Sequence, residues 1–232
     1  MATCGENRAI LALDTCGLAL SVAACDRAGR MVSRFEYRRR GHVERLMPMI
    51  EAVLDPLALL PGELDQIAVT TGPGTFTGVR IGLSAARGLV IGTDIPVNGV
   101  NAMTVMAAEA SARFPDRPVL VAMDARRQQV YAQLFQPSLT EDGVAPVTNA
   151  ATMSAADAAL LCVTDELLLV GTGAQLVAAQ HRAEASALTC LDIQPDARRL
   201  LAWAGARPLP CLAPPPAPLY LRAPDAKPQV QP

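Results

Sequence analysis

Two spacings of hydrophobic positions follow one another along the first part of the chain, and they predict strands followed by a helix. Short apolar runs separated by turns predict three strands, at residues 8–13, 18–25 and 31–38. Apolar residues then recur every three or four positions over residues 42–55, which predicts a helix, and Pro48 predicts a kink within it. The pattern therefore predicts an antiparallel meander followed by a helix.

Residues 67–92 predict a strand, a glycine turn and a helix poor in large side chains. The β-branched run at 67–69 has the character of a strand, Gly-Pro-Gly at 72–74 ends it, and Thr75 or Thr77 can cap the helix. Glycine costs roughly 1 kcal/mol per interior helix position relative to alanine. We expect close approach of another helix to offset that cost. Packing against the sheet of its own lobe is the alternative.

The pattern then restarts, which predicts an internal duplication. An apolar strand ends at Asp124, as the first strand is followed by Asp14, and a later strand at 167–170 ends in a second glycine turn. Two equivalent α/β halves are the simplest explanation, and we place them at residues 1–104 and 105–232. The second half ends in a proline-rich tail that we expect to be extended. The other predicted elements are strands at 96–100, 119–123 and 128–135 and a helix at 102–113.

Composition narrows the class of protein. The 232 residues are 51% hydrophobic, which provides enough core for one large domain or two small ones. A net charge of -2 indicates no overall attraction to nucleic acid. The glycine-rich helix carries two arginines and does not resemble a membrane span, and the first ten residues do not resemble a secretory signal. We therefore expect a cytoplasmic protein that does not contact a membrane.

Two aspartates and one loop are the candidate chemical groups. Asp14 and Asp124 follow apolar strands, where a carboxylate can hold a metal or position a nucleophile, but hydrogen bonding within the turn is the interpretation we favour. The glycine loop could cradle a phosphate at a helix N-terminus, or it could simply be a tight turn. It lacks the lysine of a Walker loop. Its candidate nucleotide or partner residues are Gly72, Gly74, Thr75, Phe76, Thr77 and Arg80.

Other constellations point away from catalysis. His42 and His181 are far apart in sequence, and the six cysteines contain no CxxC pair, so we predict neither a metal site nor a catalytic triad. An arginine cluster near residue 40 could contact RNA phosphates, but glutamates dilute it and aromatic residues are few. We favour a solvated edge for this cluster. Its members are Arg34, Arg38, Arg39, Arg40 and Arg45.

Five blocks of sequence carry a resemblance to a known family. They occur in the family's order, and the glycine block is the most specific of them. The blocks are ILALDT at 10–15, RGHVERLMPMIEAVL at 40–54, GPGTFTGVRIGLSAARGL at 72–89, MDARRQQVYAQLF at 123–135 and PLYLR at 218–222. Together they resemble TsaB, also called YeaZ. Cys16 stands where this family often has serine.

The resemblance implies a fold and a function. The fold is two duplicated lobes of the actin, sugar kinase and Hsp70-like type (ASKHA, RNase H-like). The function is a noncatalytic, activating or scaffold role in forming N6-threonylcarbamoyladenosine (t6A) at position 37 of tRNA. Its partners are TsaD, the transferase subunit with an HxxxH metal site, and the ATPase TsaE, and a homodimer is an alternative when the chain is alone. An ATP-dependent phosphotransferase and a glycoprotease-like hydrolase remain the other two hypotheses.

The scaffold hypothesis predicts where ligands and partners bind. We expect no tightly bound cofactor and no metal, with ATP or ADP only at the assembled complex, and tRNA held indirectly through the partner. We expect the glycine-rich helix and the helix at 42–55 to form the partner face through small residues and methionines. The predicted interface residues are Met47, Met49, Gly78, Gly82, Ala85 and Ala86.

Overall fold

The computed structural model describes residues 7–140, 142–164, 166–181, 188–209 and 216–222. Two β-sheets form the centres of two lobes. The elements of the first lobe and of the connection to the second are β1 (Ile10–Asp14), β2 (Ala19–Cys25), β3 (Met31–Tyr37), α1 (His42–Leu54), β4 (Gln66–Gly72), α2 (Phe76–Leu89), β5 (Val97–Asn101) and α3 (Ala102–Arg113). Those that follow are β6 (Val119–Asp124), β7 (Gln129–Pro137), β8 (Val144–Pro146), β9 (Ala151–Ser154), α4 (Ala155–Ala159), β10 (Leu168–Val170), α5 (Ala174–Ala178), β11 (Thr189–Leu191) and α6 (Ala197–Gly205).

The first sheet has the strand order β3-β2-β1-β4-β5. Strand β1 pairs antiparallel with β2 and parallel with β4, so that Leu13 lies opposite Val22 on one side and Val69 on the other. Because side chains alternate across a strand, β1 presents Leu11 and Leu13 to one face and Ile10 and Ala12 to the other. Helices α1 and α2 pack on the first face, and α6 packs on the second.

The second sheet repeats this order as β8-β7-β6-β10-β11, and β9 also pairs with β7. Strand β6 pairs antiparallel with β7 and parallel with β10, as β1 does with β2 and β4. The predicted duplication is therefore confirmed, and with it the α/β class of two lobes of the actin, sugar kinase and Hsp70-like fold. Among the described residues, no helix is both long and apolar enough to cross a membrane.

Most predicted elements lie where the hydrophobic pattern placed them. Helix α3 has the predicted bounds, and helix α1 continues through Pro48 as one element. The short elements β8, β9, α4 and β11 escaped prediction because each is only three to five residues long, too short for a repeating pattern to be recognised. Helix α6 escaped for a different reason, because we expected an extended tail to begin near it.

The helix α6 requires a correction to the predicted lobe boundary. Its sequence lies in the range 105–232, yet Ala197, Leu200 and Leu201 pack on Ile10 and Ala12 of the first sheet. Asp196 caps this helix, and Ser21 of β2 accepts a hydrogen bond of 2.9 Å from the amide of Ala197. The chain thus returns to the first lobe after building the second. Helix α3 contacts strands of both sheets and connects them.

The described part of the tail, residues 216–222, is extended as predicted and crosses both lobes. Leu219 donates its amide to the Thr71 carbonyl of the first lobe at 2.8 Å. Thr152 of the second lobe donates its hydroxyl to the Leu221 carbonyl at 3.0 Å. These contacts make residues 216–222 a strap between the lobes. The residues from 223 onward, which we also predicted to be polar tail, lie outside the described part of the chain.

Candidate functional site

A cleft of about 610 Å³ lies between the lobes. The first lobe contributes the turn after β1 and the loop that opens α2. The second lobe contributes the end of β6 and the turn that follows it, and the strap forms part of the wall. Its lining residues include Gly74, Phe76, Asp124, Arg126, Tyr220 and Arg222. Ligand pockets occur preferentially at interfaces between domains, so this cleft is the candidate site.

Asp14 does not reach this cleft. It is fully buried at the end of β1 and accepts hydrogen bonds from the Thr70 hydroxyl at 2.5 Å and from the Cys16 amide at 3.3 Å. Its second oxygen, Oδ2, has no hydrogen-bond partner in the described part of the protein. Desolvation raises the pKa of Asp14 to about 7, because burial penalises the charged form more than the Thr70 bond favours it. The favoured interpretation, a carboxylate held within its own turn, agrees with this geometry.

The glycine loop is packed against that same turn. A Cβ at Gly74 would overlap the carbonyl of Cys16, and a Cβ at Gly78 would overlap the carbonyl of Thr15. The amide of Thr75 donates to the Cys16 carbonyl at 3.0 Å. The Thr15 hydroxyl donates to the Gly78 carbonyl at 2.6 Å. These glycines are therefore required for close packing of helix α2 on the β1 turn, which is the internal explanation that the sequence left open.

These contacts do not fit a phosphate cradle. The Thr75 amide already donates to Cys16, and the Gly78 amide donates to the Thr75 hydroxyl at 3.0 Å as the helix cap. Arg80 donates to the Tyr220 hydroxyl at 2.9 Å, and its guanidinium carbon lies 3.7 Å from the centroid of the Phe76 ring. Two amides of the loop and the Arg80 side chain thus have partners within the protein. Asp14, the carboxylate of the first lobe, is buried away from the cleft.

Phe76, Arg80 and Tyr220 form a stacked cluster at one lip of the cleft. The rings of Phe76 and Tyr220 are stacked with centroids 5.5 Å apart. The arginine lies over the phenylalanine, where a cation–π interaction contributes roughly 1 kcal/mol at a partly exposed position. Sequence reasoning missed Tyr220, although PLYLR was among the matching blocks. The PLYLR block marked this part of the sequence, but only the fold shows that Tyr220, in the tail, lies against the first turn of α2.

The opposite lip is a turn of unusual backbone conformation. Arg126, Arg127 and Gln128 have φ of 63°, 54° and 61°, in the left-handed region that residues other than glycine seldom adopt. Asp124 is exposed here and accepts a hydrogen bond of 2.7 Å from the Arg126 amide. Arg222 of the strap donates to the Ala125 carbonyl at 2.8 Å. The strap therefore supports the outside of this turn.

The predicted partner residues divide into buried and accessible ones. Met49, Gly78, Gly82 and Ala86 are buried within the first lobe, and a Cβ at Gly82 would lie 2.6 Å from the Thr15 hydroxyl. This corrects the prediction for those four residues, because the three small ones allow packing within the lobe and Met49 is part of its hydrophobic core. Met47 is 44% exposed and Ala85 is partly exposed.

Accessible residues on the same two helices form a surface that we call the α1–α2 face. The helices are neighbours on one side of the first sheet. On α1, Val43 is 60% exposed, one turn from Met47. The members of the face are Val43, Met47, Ile81, Ser84, Ala85 and Gly88. The helical period of the sequence could have identified Val43, because it lies four residues before Met47 and therefore on the same side of α1.

Comparisons with known proteins assign this geometry to a family. The sequence profile described as "TsaD: tRNA N6-adenosine threonylcarbamoyltransferase" matches residues 36–182, more than half of the chain. The tRNA threonylcarbamoyladenosine biosynthesis protein TsaB of Haemophilus influenzae is 40% identical over 138 residues. That match covers 59% of this chain and 58% of the Haemophilus protein, so the matched part spans little more than half of that relative.

Two solved structures cover more of the chain. YeaZ from Pseudomonas aeruginosa is 31% identical, with a TM-score of 0.73, over 85% of this chain and 91% of that one. A protein described as similar to peptidase YEAZ from Pseudomonas aeruginosa is 30% identical, with a TM-score of 0.78, over 93% of this chain and all of that one. The chain belongs to the TsaB (YeaZ) family. The resemblance inferred from the five sequence blocks is therefore confirmed.

Proposed function

We propose that this TsaB-family chain is a noncatalytic, activating subunit in the formation of t6A in tRNA. Its partners in this proposal are a TsaD-like transferase subunit and a TsaE-like ATPase. The names of its relatives support the pathway, since TsaB of Haemophilus influenzae is described as a tRNA threonylcarbamoyladenosine biosynthesis protein. The match to the TsaD profile supports a partnership between this chain and a TsaD-like subunit of related fold.

The burial of the Asp14 side chain, which we call the sealed carboxylate, is the observation that supports the noncatalytic role. Asp14 is fully buried beneath the glycine loop, with hydrogen bonds to Thr70 and to the Cys16 amide. A general base must come within hydrogen-bond distance of the group that it deprotonates. Asp14 cannot do so without separation of α2 from the β1 turn. The phosphotransferase and hydrolase alternatives both lack support at this position.

The α1–α2 face is the surface that we assign to the TsaD-like partner. Val43 and Met47 are exposed apolar side chains on α1, and Ser84 and Gly88 are small exposed positions on α2. Small residues let two helices approach closely, and methionine adapts its shape to an irregular partner. The same surface is where a second copy would pack when the partner is absent, as a homodimer.

If this chain activates and its partner transfers, nucleotide and tRNA should bind mainly outside this chain. The loop amides of Thr75 and Gly78 are engaged inside the lobe, so we propose no tightly bound nucleotide in the isolated chain. ATP or ADP would bind only at the assembled complex. The partner would hold most of the tRNA, because this chain has a net charge of -2.

Reconstitution with purified subunits tests the proposal. The chain alone, supplied with threonylcarbamoyl adenylate and tRNA, should form no t6A, and addition of the TsaD-like and TsaE-like subunits should start the reaction. Modification of tRNA by the chain alone would contradict the noncatalytic role. Failure of the chain to stimulate the other two subunits would contradict the activating role.

Matched variants test the partner surface. Val43→Asp combined with Met47→Asp should abolish co-purification with the TsaD-like subunit, because two carboxylates would be desolvated in an apolar contact. The control is Leu160→Asp combined with Val163→Asp, which makes the same change at exposed positions of the second lobe. The control should co-purify normally. Both doubles should retain the circular dichroism spectrum of the parent, and equal binding by both would remove the α1–α2 face from the interface.

A further inference from the structure

The outer edge of the first sheet carries a concentration of arginine that the overall charge conceals. Strand β3 is the edge strand, and its pairing with β2 continues to Arg38, whose amide donates to the Leu18 carbonyl at 2.9 Å. Arg39 and Arg40 follow directly in the exposed turn before α1. We call Arg34, Phe35, Tyr37, Arg38, Arg39 and Arg40 the arginine edge, and all six are exposed.

The arginine edge has an uncompensated positive charge. Residues 30–45 contain six arginines and two glutamates, in a chain whose net charge is -2. Glu36, the acid within the edge, is already paired with Arg45 at 2.6 Å and lies 3.6 Å from Arg38. In the described part of the chain, Arg39 and Arg40 form no ion pair. Two further glutamates lie on the adjoining helix α1, Glu44 in its first turn and Glu51 two turns further along.

Two aromatic rings lie within this charged segment. Phe35 and Tyr37 are in edge-to-face contact, with centroids 5.3 Å apart, and Tyr37 is 66% exposed. A ring exposed to this degree contributes little to the core of the protein. Aromatic residues are few near the arginines in the sequence, but these two lie on β3, directly before Arg38 and Arg39 along the chain. Arginines interleaved with exposed rings are typical of surfaces that bind single-stranded nucleic acid.

Charges on the neighbouring elements do not cancel the positive charge of the arginine edge. Phe35 and Tyr37 border a shallow cavity of about 330 Å³ that reaches α3 and α6. Two ion pairs there are internally neutral, Arg113 with Glu109 and Arg198 with Asp196. Asp192 is the remaining acid of that cavity, and its carboxylate accepts a hydrogen bond of 2.9 Å from Gln194. The excess positive charge is therefore at the end of β3, next to Tyr37.

We propose that the arginine edge binds a single-stranded segment of RNA, with phosphates on Arg39 and Arg40 and an unpaired base stacked on Tyr37. This deepens the proposed function and rests on it, since the tRNA of that reaction has a single-stranded anticodon loop. Charge complementarity favours this occupant over a second copy of the chain, because two arginine edges would repel each other. The edge supplements the partner's hold on tRNA and does not replace it.

Fluorescence anisotropy with the isolated full chain tests this proposal. The probes are a fluorescein-labelled anticodon stem-loop and a hairpin of equal length whose two strands are joined by a non-nucleotide linker, so that every base of the hairpin is paired. Each probe is titrated over a series of salt concentrations. Arg39→Gln combined with Arg40→Gln should weaken stem-loop binding about tenfold at low salt and reduce the slope of log affinity against log salt by about 1.5, as expected for two phosphate contacts. Arg27→Gln combined with Arg87→Gln, which removes the same charge at exposed positions elsewhere, should bind like the parent.

The stacking step has its own matched pair of variants. Tyr37→Ala should weaken binding to the stem-loop about tenfold and leave hairpin binding unchanged, since base stacking requires an unpaired base. Tyr37→Phe keeps the ring and should bind like the parent. An unchanged affinity of Tyr37→Ala would overturn the proposal as stated, which requires both phosphate and base contacts.

Three other results would also overturn it. They are equal binding by the two arginine doubles, equal affinity for stem-loop and hairpin, and competition by polyglutamate as strong as by RNA of the same charge. The last would assign the edge to an acidic protein instead. Because the assay uses this chain alone, none of these results affects the test of the proposed function, which measures t6A formation with the other subunits.

Discussion

The two lobes have the same strand order, yet the equivalent junction is sealed in the first lobe and open in the second. A glycine with positive φ lies at the end of β4 and directly after β10, Gly72 with φ of 106° and Gly171 with φ of 102°. After that point the lobes differ. Asp14 is fully buried, whereas Asp124 at the end of β6 is exposed and lines the cleft.

Helix length explains much of this difference. Helix α2 has 14 residues and closes over the β1 turn, whereas α5 has five residues. In the first lobe, Thr70 donates to the Asp14 carboxylate, and in the second Thr172 instead accepts from the Asp124 amide. The duplication therefore preserved the topology while the two junctions diverged. The first became a packed base for helices α1 and α2, and the second became a wall of the cleft.

The largest expected effect is the pH dependence that comes from the sealed carboxylate. Burial raises the pKa of Asp14 from 3.8 to about 7, so the folded state retains a proton that the unfolded state releases between those values. Stability should fall as pH rises through this window, by at most about 1.4 kcal/mol per unit and by about 3 kcal/mol in all from pH 4 to pH 7. Asp14→Asn, which stays neutral, should flatten this dependence in urea titrations.

Asp124→Asn is the control for that measurement. The side chain of Asp124 is exposed, so its substitution should leave the pH dependence of unfolding like that of the parent. A parent protein whose stability is constant from pH 5 to pH 7 would show that Asp14 is not sealed as described, and the contrast between the lobes would then lose its basis.

A methyl group at the sealed junction should also destabilise the protein strongly. Gly78→Ala would place a Cβ against the Thr15 carbonyl, a backbone atom that cannot rotate away, and should cost about 2 to 3 kcal/mol. At the open junction, the nearest atom to a Cβ at Gly173 is a methyl of Val130 at 2.8 Å. Because the Val130 side chain can move, and because the nearest backbone atom, the Ala122 carbonyl oxygen, is 3.1 Å away and thus farther than the Thr15 carbonyl oxygen is at Gly78, Gly173→Ala should cost about 1 kcal/mol. Chemical denaturation of both variants checks the order, and a larger loss at Gly173 would reverse the comparison.

The strap should contribute a smaller amount by joining the lobes. Arg222→Ala removes the bond to the Ala125 carbonyl and should lower stability by about 1 to 2 kcal/mol. Arg126→Ala, in the turn itself, should change the free energy of unfolding by less than about 0.5 kcal/mol, since exposed side chains seldom contribute more. Thermal unfolding measures both, and equal melting temperatures for the two variants would show that the strap does not brace the second lobe.

The smallest effect tests whether every glycine of α2 is required. Nothing lies within 4 Å of a Cβ built at Gly88, which is exposed. Gly88→Ala should therefore stabilise the protein by about 0.5 to 1 kcal/mol, the difference in helix propensity. Differential scanning calorimetry would detect the rise in melting temperature. A loss of stability would mean that this end of α2 makes a contact within the lobe.

Much of the fold could be predicted because local patterns are strong where elements are long. The strands near Leu13 and Val121 are continuous apolar runs of strand length, and helix α1 has apolar residues at clear helical spacing. The repeated aspartate after a strand revealed the duplication. Short elements such as β11 carry too few residues to define a period. The candidate site was predicted less well, because small residues on a helix have the same appearance whether they face a partner or their own sheet.

The sequence by itself determined the family, the duplicated α/β topology and the special character of the glycine block. These depend on residue order and on local spacing, which can be read along the chain. Only the tertiary structure decided that Gly74 and Gly78 seal Asp14, that α6 returns to the first lobe, and that Tyr220 stacks on Phe76. These contacts join residues that are about 60 to 190 positions apart in sequence. Spatial neighbours at such separations are set by the packing of whole elements, and no local pattern encodes them.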